Sequence, residues 1–530
     1  MQKKNQIQLT VNKGNQTWTA NFEKGSNLLQ SLYSMGFYEI ANNCGGRGIC
    51  KRCRVITKQK GEVISCLTRL DENLTVELFE KDKTLLRDDT LIIKSNSLSS
   101  EDQAKIELAK INSQTDLGLA IDIGTTTIVV EIFNLENFAW LGEEKERNKQ
   151  NGYGSDVISR IAFSNDNGVQ ILSEILQKQL NQMIDSLSQK LHINKKQIIR
   201  CSIAGNTVME HFLMGLSPQT IGVAPFRPLS FFGEIYNPKQ INFNLEESTE
   251  VYIFPAIAGY VGGDITAGIL TTKMHQSNEL SFLLDIGTNG EMVLGSKERL
   301  ISCATAAGPA FEGAEIEKGM LGVPGAIDKV FLNLQNENPF SFTTIGDLPP
   351  QGFCGSGLLD MLAVAVKAEL VQDSGLISDK DEVSENVRQY LTEINNEKAI
   401  IIDKDNNVYI TQKDVRKLQS VKGAIAAGLV TLLETTKTEL EEIETFYIAG
   451  GFGSAINVDS LAVIGMIPAS FVANTKVIGN SSLSGATMFL ESRDTLKELE
   501  KIKKECQYIE LSTDPNFTDH YIDAMFFDEF

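Results

Sequence analysis

The chain opens with two short stretches in which apolar and polar positions alternate, "QIQLTV" (6–11) and "TWTANF" (17–22), on either side of "NKGNQ". Alternation with period two around a Gly-containing turn predicts a pair of β-strands. "SNLLQSLYSMGF" (26–37) shifts to helical spacing, with Ser26 or Asn27 placed to cap a short helix. Further along, "LGLAIDIGTTTIVVEIF" (117–133) and "LSFLLDIGTNGEMVLG" (280–295) repeat one pattern: an apolar strand, Asp-Ile-Gly-Thr, then a second apolar strand. "FYIAGGFGSAINVD" (446–459) is a third strand, ending in a Gly run. Val169, Leu172, Leu176, Leu180, Met183, Leu187 and Leu191 recur at helical spacing and are expected to form a core face. "SNSLSSEDQAKIELAKINSQTD" (95–116) is polar and Ser-rich and reads as a connector.

At 530 residues the chain is too long for one core, so two to four domains are expected. An apolar content of 42% with 22% charged residues is ordinary for a globular protein. The absence of a long apolar run argues against a membrane span, and "MQKKNQIQLT" lacks the apolar core of a secretory signal, so a cytoplasmic location is expected. The net charge of −20 is uneven: residues 1–98 hold 15 Lys/Arg against 10 Asp/Glu, and the remainder is strongly acidic. A basic head on an acidic body fits docking of the head on the body or on an acidic partner protein, or equally two solvated surfaces of different sign, and offers no concentrated basic face for nucleic acid.

Four of the eight cysteines fall before residue 67, in the pattern Cys44-x5-Cys50-x2-Cys53-x12-Cys66. A zinc ribbon usually carries two separated C-x2-C knuckles, and a redox pair would leave two cysteines unused. A plant-type 2Fe–2S loop uses C-x4-C-x2-C and a distant fourth Cys, which this pattern matches with one extra residue in the first gap. Gly45, Gly46 and Gly48 allow a tight curl that turns N–H groups inward, and Arg47, Lys51, Arg52 and Arg54 surround the loop with positive charge. An iron–sulfur cluster on Cys44, Cys50, Cys53 and Cys66 is expected, with zinc as the alternative. Cys303 and Cys354, in Gly/Ala-rich stretches, are expected to be small core residues. His211, in the apolar run "TVMEHFLMG", is expected to be a satisfied core residue, and Glu312, Glu315 and Glu317 to be solvated or helix-starting carboxylates.

The paired Asp-Ile-Gly-Thr turns have a chemistry of their own. Gly at a hairpin lets backbone N–H groups approach a phosphate, Thr hydroxyls add donors, and the Asp can hold a hydrated Mg2+. Together with "GYVGGDITAGIL" (259–270) and "GFCGSGLLDML" (352–362), these elements resemble the actin, Hsp70 and sugar-kinase superfamily of two-lobed ATPases. That resemblance implies a ribonuclease H-like α/β fold clamping Mg·ATP. Asp122, Gly124, Thr125, Thr126 and Thr127 would form the first phosphate hairpin, and Asp285, Gly287, Thr288 and Asn289 the second. Gly450, Gly451 and Gly453 would flank adenosine. Asp264 would sit on the first connecting helix, a candidate for orienting or activating water, and Gly355 and Ser356 would open the second connecting helix.

The cysteine loop ahead of such a body resembles the family of ATP-dependent reductive activators of corrinoid proteins. "NGYGSDVISRI" (151–161), "AGNTVMEHFLMGLSPQTIGVAPFRP" (204–228), "SCATAAGPAFEGAEIEKGM" (302–320), "ITQKDVRKLQSVKGAI" (410–425) and "VIGNSSLSGA" (477–486) extend the likeness over most of the chain. The resemblance implies a β-grasp 2Fe–2S ferredoxin domain (1–94), a linker (95–116), a first ATPase lobe including a middle domain (117–275) and a second lobe (276–530). It implies one-electron reduction of Co(II) to Co(I) on a corrinoid protein of a methyltransferase system, an upstream low-potential electron donor and a homodimer. Two other functions remain open on the residues: an ATP-driven electron donor to another enzyme such as a dehydratase, and an ATP-binding kinase or scaffold carrying a ferredoxin module.

Overall fold

The computed structural model describes residues 6–14, 16–37, 40, 53–78, 111–112, 114–313, 315–451 and 455–528. Cys44, Cys50 and Gly453, and most of the 95–116 connector, lie outside the described residues. Near the N-terminus, β1 (Gln6–Lys13) and β2 (Gln16–Glu23) form the expected antiparallel hairpin. Helix α1 (Leu28–Ser34) follows, capped by Asn27, whose side chain accepts from the Gln30 N–H. β3 (Arg54–Thr57), β4 (Gly61–Ile64) and β5 (Leu74–Leu78) complete a mixed sheet in the order β2-β1-β5-β3-β4, with β5 parallel to β1. Leu9, Val11, Leu28, Leu32 and Val76 fill a core separate from those of the body.

The body is built twice on one plan. In the first lobe β6 (Leu117–Ile123), β7 (Thr127–Asn134) and β8 (Trp140–Arg147) form an antiparallel meander, and β9 (Ile198–Gly205) joins β6 in parallel. β10 (Glu234–Tyr236) and β11 (Glu250–Ile253) complete the order β10-β11-β9-β6-β7-β8. The second lobe repeats the motif with β12 (Leu280–Ile286), β13 (Gly290–Gly295) and β14 (Leu300–Thr305). Two small three-stranded sheets follow: β15 (Ala326–Leu332), β16 (Phe340–Thr344) and β17 (Gly352–Phe353), then β18 (Leu391–Ile394), β19 (Glu397–Asp403) and β20 (Val408–Thr411). β21 (Ile443–Ala449), β22 (Thr475–Gly479) and β23 (Cys506–Tyr508) finish the main sheet in the order β22-β21-β12-β13-β14-β23. The Asp-Ile-Gly-Thr turns therefore occupy equivalent positions, each joining the central strand to its antiparallel neighbour.

Helices α2 (Val157–Asn167) and α3 (Gln170–Lys190) belong to the first lobe. The α3 stripe Leu172, Leu176, Leu180, Met183 and Leu187 is buried in its core, as its spacing predicts, with Val169 and Leu191 at the edge. α4 (Thr207–Leu213) follows β9, and α5 (Gly263–Thr272) crosses towards the second lobe. The helix paired with α5 is not α6 (Gly355–Lys367), as the Gly355-Ser356-Gly357 turn suggests. α6 stays within the second lobe against β15, where a side chain on Gly357 would come within 2.1 Å of the Ile327 carbonyl. After α7 (Gln412–Thr436), the second crossing helix is α8 (Ser481–Glu491), followed by α9 (Thr495–Glu505). α8 touches α5 through Gly485 against Ala267, and its Ala486 carbonyl accepts the Ser202 hydroxyl of β9 at 2.6 Å. Both helix starts follow directly on a strand, Gly352–Phe353 and Thr475–Gly479, so the local pattern alone does not separate them.

Candidate functional site

Between the lobes lies a cavity of about 270 Å³. Asp122, Gly124, Thr125, Thr126 and Thr127 line it from the first hairpin, and Asp285, Gly287, Thr288 and Asn289 from the second. Asp264, Gly355, Ser356, Gly450 and Gly451 complete the set that the sequence singled out among the described residues. Gly450 has φ +128°, and a side chain there would meet the Ile286 carbonyl at 2.2 Å, so β21 approaches the second hairpin closely.

The acidic groups are crowded. Burial and the neighbouring Asp285 push the Asp264 carboxyl up to about 8. Burial, then Asp122, raises Asp285 to about 7. Glu291, at the base of the second hairpin, is pushed well above the carboxylate range by burial and then by Asp264 and Asp285. Carboxylates held in this way favour a proton or a cation over shared negative charge. Lys145 of β8 also lines the cavity.

The first hairpin is held from outside. Asn148 Nδ2 donates to the Gly124 carbonyl at 3.0 Å and Asn151 Nδ2 to the Thr126 carbonyl at 3.2 Å. The Arg160 guanidinium, fully buried, donates to the Thr125 and Gly154 carbonyls and to Asn151 Oδ1. Asn206 uses its side chain twice: Oδ1 caps α4 at the Met209 N–H, and Nδ2 donates to Thr125 Oγ1 at 2.9 Å. Asn480 repeats the device, capping α8 at the Leu483 N–H and donating to Asp122 Oδ2 at 2.8 Å. Ser482 Oγ donates to the other Asp122 oxygen at 2.7 Å. Sequence reasoning missed all of these partners. The signal was a strand ending in Gly-Asn before a Ser/Thr helix start, present at Gly205-Asn206-Thr207 and Gly479-Asn480-Ser481.

Glu312 corrects an expectation. It is no solvated carboxylate: Oε1 accepts the Thr288 hydroxyl at 2.7 Å and Oε2 accepts the Thr126 hydroxyl, tying the two hairpins together. Glu317 is exposed and accepts the Tyr409 hydroxyl at 2.7 Å, and Glu315 is half-buried. His211 behaves as a core residue, with Nδ1 bonded to the Thr207 carbonyl at 2.7 Å and Nε2 accepting the Leu229 N–H at 3.1 Å. Cys303 is fully buried in the second lobe's core, and Cys354, also buried, precedes α6 at the cavity wall.

In the N-terminal module, Cys53 and Cys66 are buried side by side, with the Cys66 N–H donating to Cys53 Sγ at 3.4 Å. The β3–β4 hairpin brings the two cysteines together, and a sulfur facing a backbone N–H suits thiolate ligation. Among the described residues no group of three His, Cys, Asp or Glu is placed to hold a metal ion. Nor is any described helix long and apolar enough to cross a membrane.

Fold and cleft define a two-lobed body of the actin- and sugar-kinase-like (ASKHA) type. Residues 279–529 match the model of the C-terminal domain of RACo, the ASKHA domain, and residues 117–277 match the RACo middle region. The chain is 32% identical to the corrinoid activation enzyme RamQ of Eubacterium limosum over 417 residues, covering 76% of this chain and 69% of that protein. It is 23% identical to the [Co(II) methylated amine-specific corrinoid protein] reductase of Methanosarcina barkeri, with 76% of each chain covered. A solved structure of a reductive activator for corrinoid,iron-sulfur protein superposes with a TM-score of 0.72 at 28% identity, covering 98% of each chain. The chain belongs to the RACo family of corrinoid-protein activators.

Proposed function

We propose that this chain restores an inactive Co(II) corrinoid on a partner protein of a methyltransferase system to Co(I), with the energy of Mg·ATP bound between the lobes. The observation that carries the reading is the meeting of both Asp-Ile-Gly-Thr hairpins, Asp264 and Gly450-Gly451 in one cavity of a chain with these relatives. Asp122 and Asp285 both line that cavity and would hold Mg2+ through its water shell. The N–H groups and hydroxyls of Gly124–Thr127 and Gly287–Asn289 would take the phosphates. Asp264 would orient the attacking water, while Gly450, Gly451 and Gly453 would flank adenosine and Gly355 and Ser356 the far wall.

Residues 1–94 would form a β-grasp ferredoxin domain, supported by the β1–β2 hairpin, the helix after it and the parallel return of β5. A 2Fe–2S cluster on Cys44, Cys50, Cys53 and Cys66 would supply one electron at a time, received from a low-potential donor. ATP has a physical role here. Plant-type clusters lie near −400 mV, and each ~59 mV uphill costs a factor of ten in equilibrium. Nucleotide can move that equilibrium only by binding one state of the complex more tightly than another. A homodimer through the body completes the proposal.

The test is anaerobic. The reduced protein is mixed with a Co(II) corrinoid protein and the Co(I) absorbance is followed with and without Mg·ATP. An ATP-dependent rise that is lost in Asp285→Ala and in Cys53→Ser supports the reading. ATP hydrolysis with cobalt left as Co(II) would shift the target to another low-potential enzyme.

A further inference from the structure

Glu312 belongs to neither hairpin, yet it touches both. The Thr126 hydroxyl, from the first lobe, donates to one of its oxygens, and the Thr288 hydroxyl, from the second, donates to the other. Each hydroxyl has one proton to give. Given to Glu312, that proton is not available to a phosphate oxygen, and the carboxylate adds a negative charge beside the phosphate seat. The cavity wall already carries Asp122, Asp264, Asp285 and Glu291, so a further anion there opposes an anionic ligand.

We propose that the Glu312 carboxylate is a built-in competitor for the phosphate donors of the cleft, and that nucleotide phosphate binds by taking the Thr126 and Thr288 hydroxyls from it. This rests on the reading that the cleft takes Mg·ATP, and it adds a residue that sets the affinity for phosphate rather than for adenosine. Displacement has a route outward. Glu312 ends the turn Pro309–Glu312, and the chain beyond it is tied to the start of α7: the Glu317 N–H donates to Asp414 Oδ1 at 2.9 Å, and Lys417 Nζ donates to the Glu315 carbonyl. Moving Glu312 therefore pulls on a segment that reaches the surface at Glu317.

The experiment is calorimetric titration of the full-length holoprotein with Mg·ATP and, separately, with adenosine. Glu312→Gln removes the charge and one acceptor. It should tighten Mg·ATP by about fivefold or more and leave adenosine within about twofold, because adenosine carries no phosphate to compete. If Glu312 served only as a tie between lobes, its loss would weaken both ligands or change neither, and either result overturns the proposal. Should Glu312→Gln fail to fold, Glu312→Asp keeps the charge but is one methylene too short to span both hydroxyls. A smaller but still selective tightening of Mg·ATP is expected there, because the hydroxyls are released while the charge stays, and an unchanged or weakened Mg·ATP affinity overturns the proposal. A wild-type chain that binds adenosine and Mg·ATP equally well, or neither, overturns the nucleotide reading and this inference with it.

Discussion

The two hairpins share four residues of sequence and one place in the sheet, but they are held differently. Around the first, Asn148, Asn151 and Arg160 take the carbonyls of Gly124, Thr126 and Thr125, Asn206 takes the Thr125 hydroxyl, and Asn480 and Ser482 take Asp122. Most hydrogen bonds of the second come from nearer in the sequence: the Gly287 N–H closes on the Asn289 carbonyl at 2.9 Å, Asn289 Nδ2 reaches Glu291, and the Gly308 N–H reaches the Thr288 carbonyl at 2.9 Å. One jaw of the cleft is thus bolted into a buried polar network, and the other is fastened to the loop that carries Glu312. Buried networks with every member satisfied rigidify, whereas an element hung on its own loop can follow that loop. The N-terminal module stands on the rigid side, with the Tyr33 ring packed over Gly152, next to Asn151.

The largest effect that would expose this difference is at Arg160. Burial lowers its pKa to about 9, yet its hydrogen bonds keep the guanidinium where three acceptors need it. Arg160→Met should destabilise the chain by about 3 kcal/mol or more, since several buried acceptors lose their donor together. Asn289→Ala, on the other jaw, should cost about 1 kcal/mol or less. Urea midpoints compare them, and equal losses would break the distinction between jaws.

Next come the hairpin glycines. A Cβ on Gly124 would lie 2.6 Å from the Thr127 carbonyl, whereas the nearest atom to a Cβ on Gly287 is the Asn289 carbonyl at 3.9 Å. Gly124→Ala should therefore lower stability by about 1–3 kcal/mol, through strain within its own turn. Gly287→Ala should leave the melting temperature nearly unchanged and, on the proposed reading of the cleft, weaken Mg·ATP binding about tenfold, because its methyl group would stand where phosphate is proposed to approach the backbone. Gly152→Val is a milder probe. A Cβ there would fall about 2.1 Å from the Tyr33 ring, so the N-terminal module should loosen and become more open to limited proteolysis while the body melts as before.

What was legible in the sequence follows the same division. The Asp-Ile-Gly-Thr turns, Asp264 and the Gly450-Gly451 approach were readable because each is written in consecutive residues around a strand end. The bolts of the first jaw were not: Asn480 lies 358 residues from Asp122, and Arg160 35 residues from Thr125. Only folding turns such separations into contact. Glu312 was visible in "AAGPAFEGAEI", but acidic residues near a Gly-Pro turn are ordinarily solvated, and its partners come from 186 and 24 residues away. The second crossing helix was misplaced for a related reason. Gly355-Ser356-Gly357 and Asn480-Ser481-Ser482 both open helices, and what separates them is what each helix packs against.

The last comparison concerns protons. Asp285 titrates near 7 in the folded chain, raised first by burial and then by Asp122, while an unfolded aspartate titrates near 4. The folded state thus holds a proton that the unfolded state has already lost between about pH 4 and pH 7. Stability of the metal-free chain should fall as pH rises through that window, by at most ~1.4 kcal/mol per pH unit for this one group. Asp264, raised to about 8, extends the fall upward. Asp285→Asn should flatten the decline of melting temperature between pH 5 and pH 7 in EDTA, and adding Mg2+ to the wild type should flatten it too, by compensating the charge instead of removing it. If Asp285→Asn leaves the slope as it was, the charge on the looser jaw is already relieved by movement of the hairpin, and the two jaws differ by more than their hydrogen bonds.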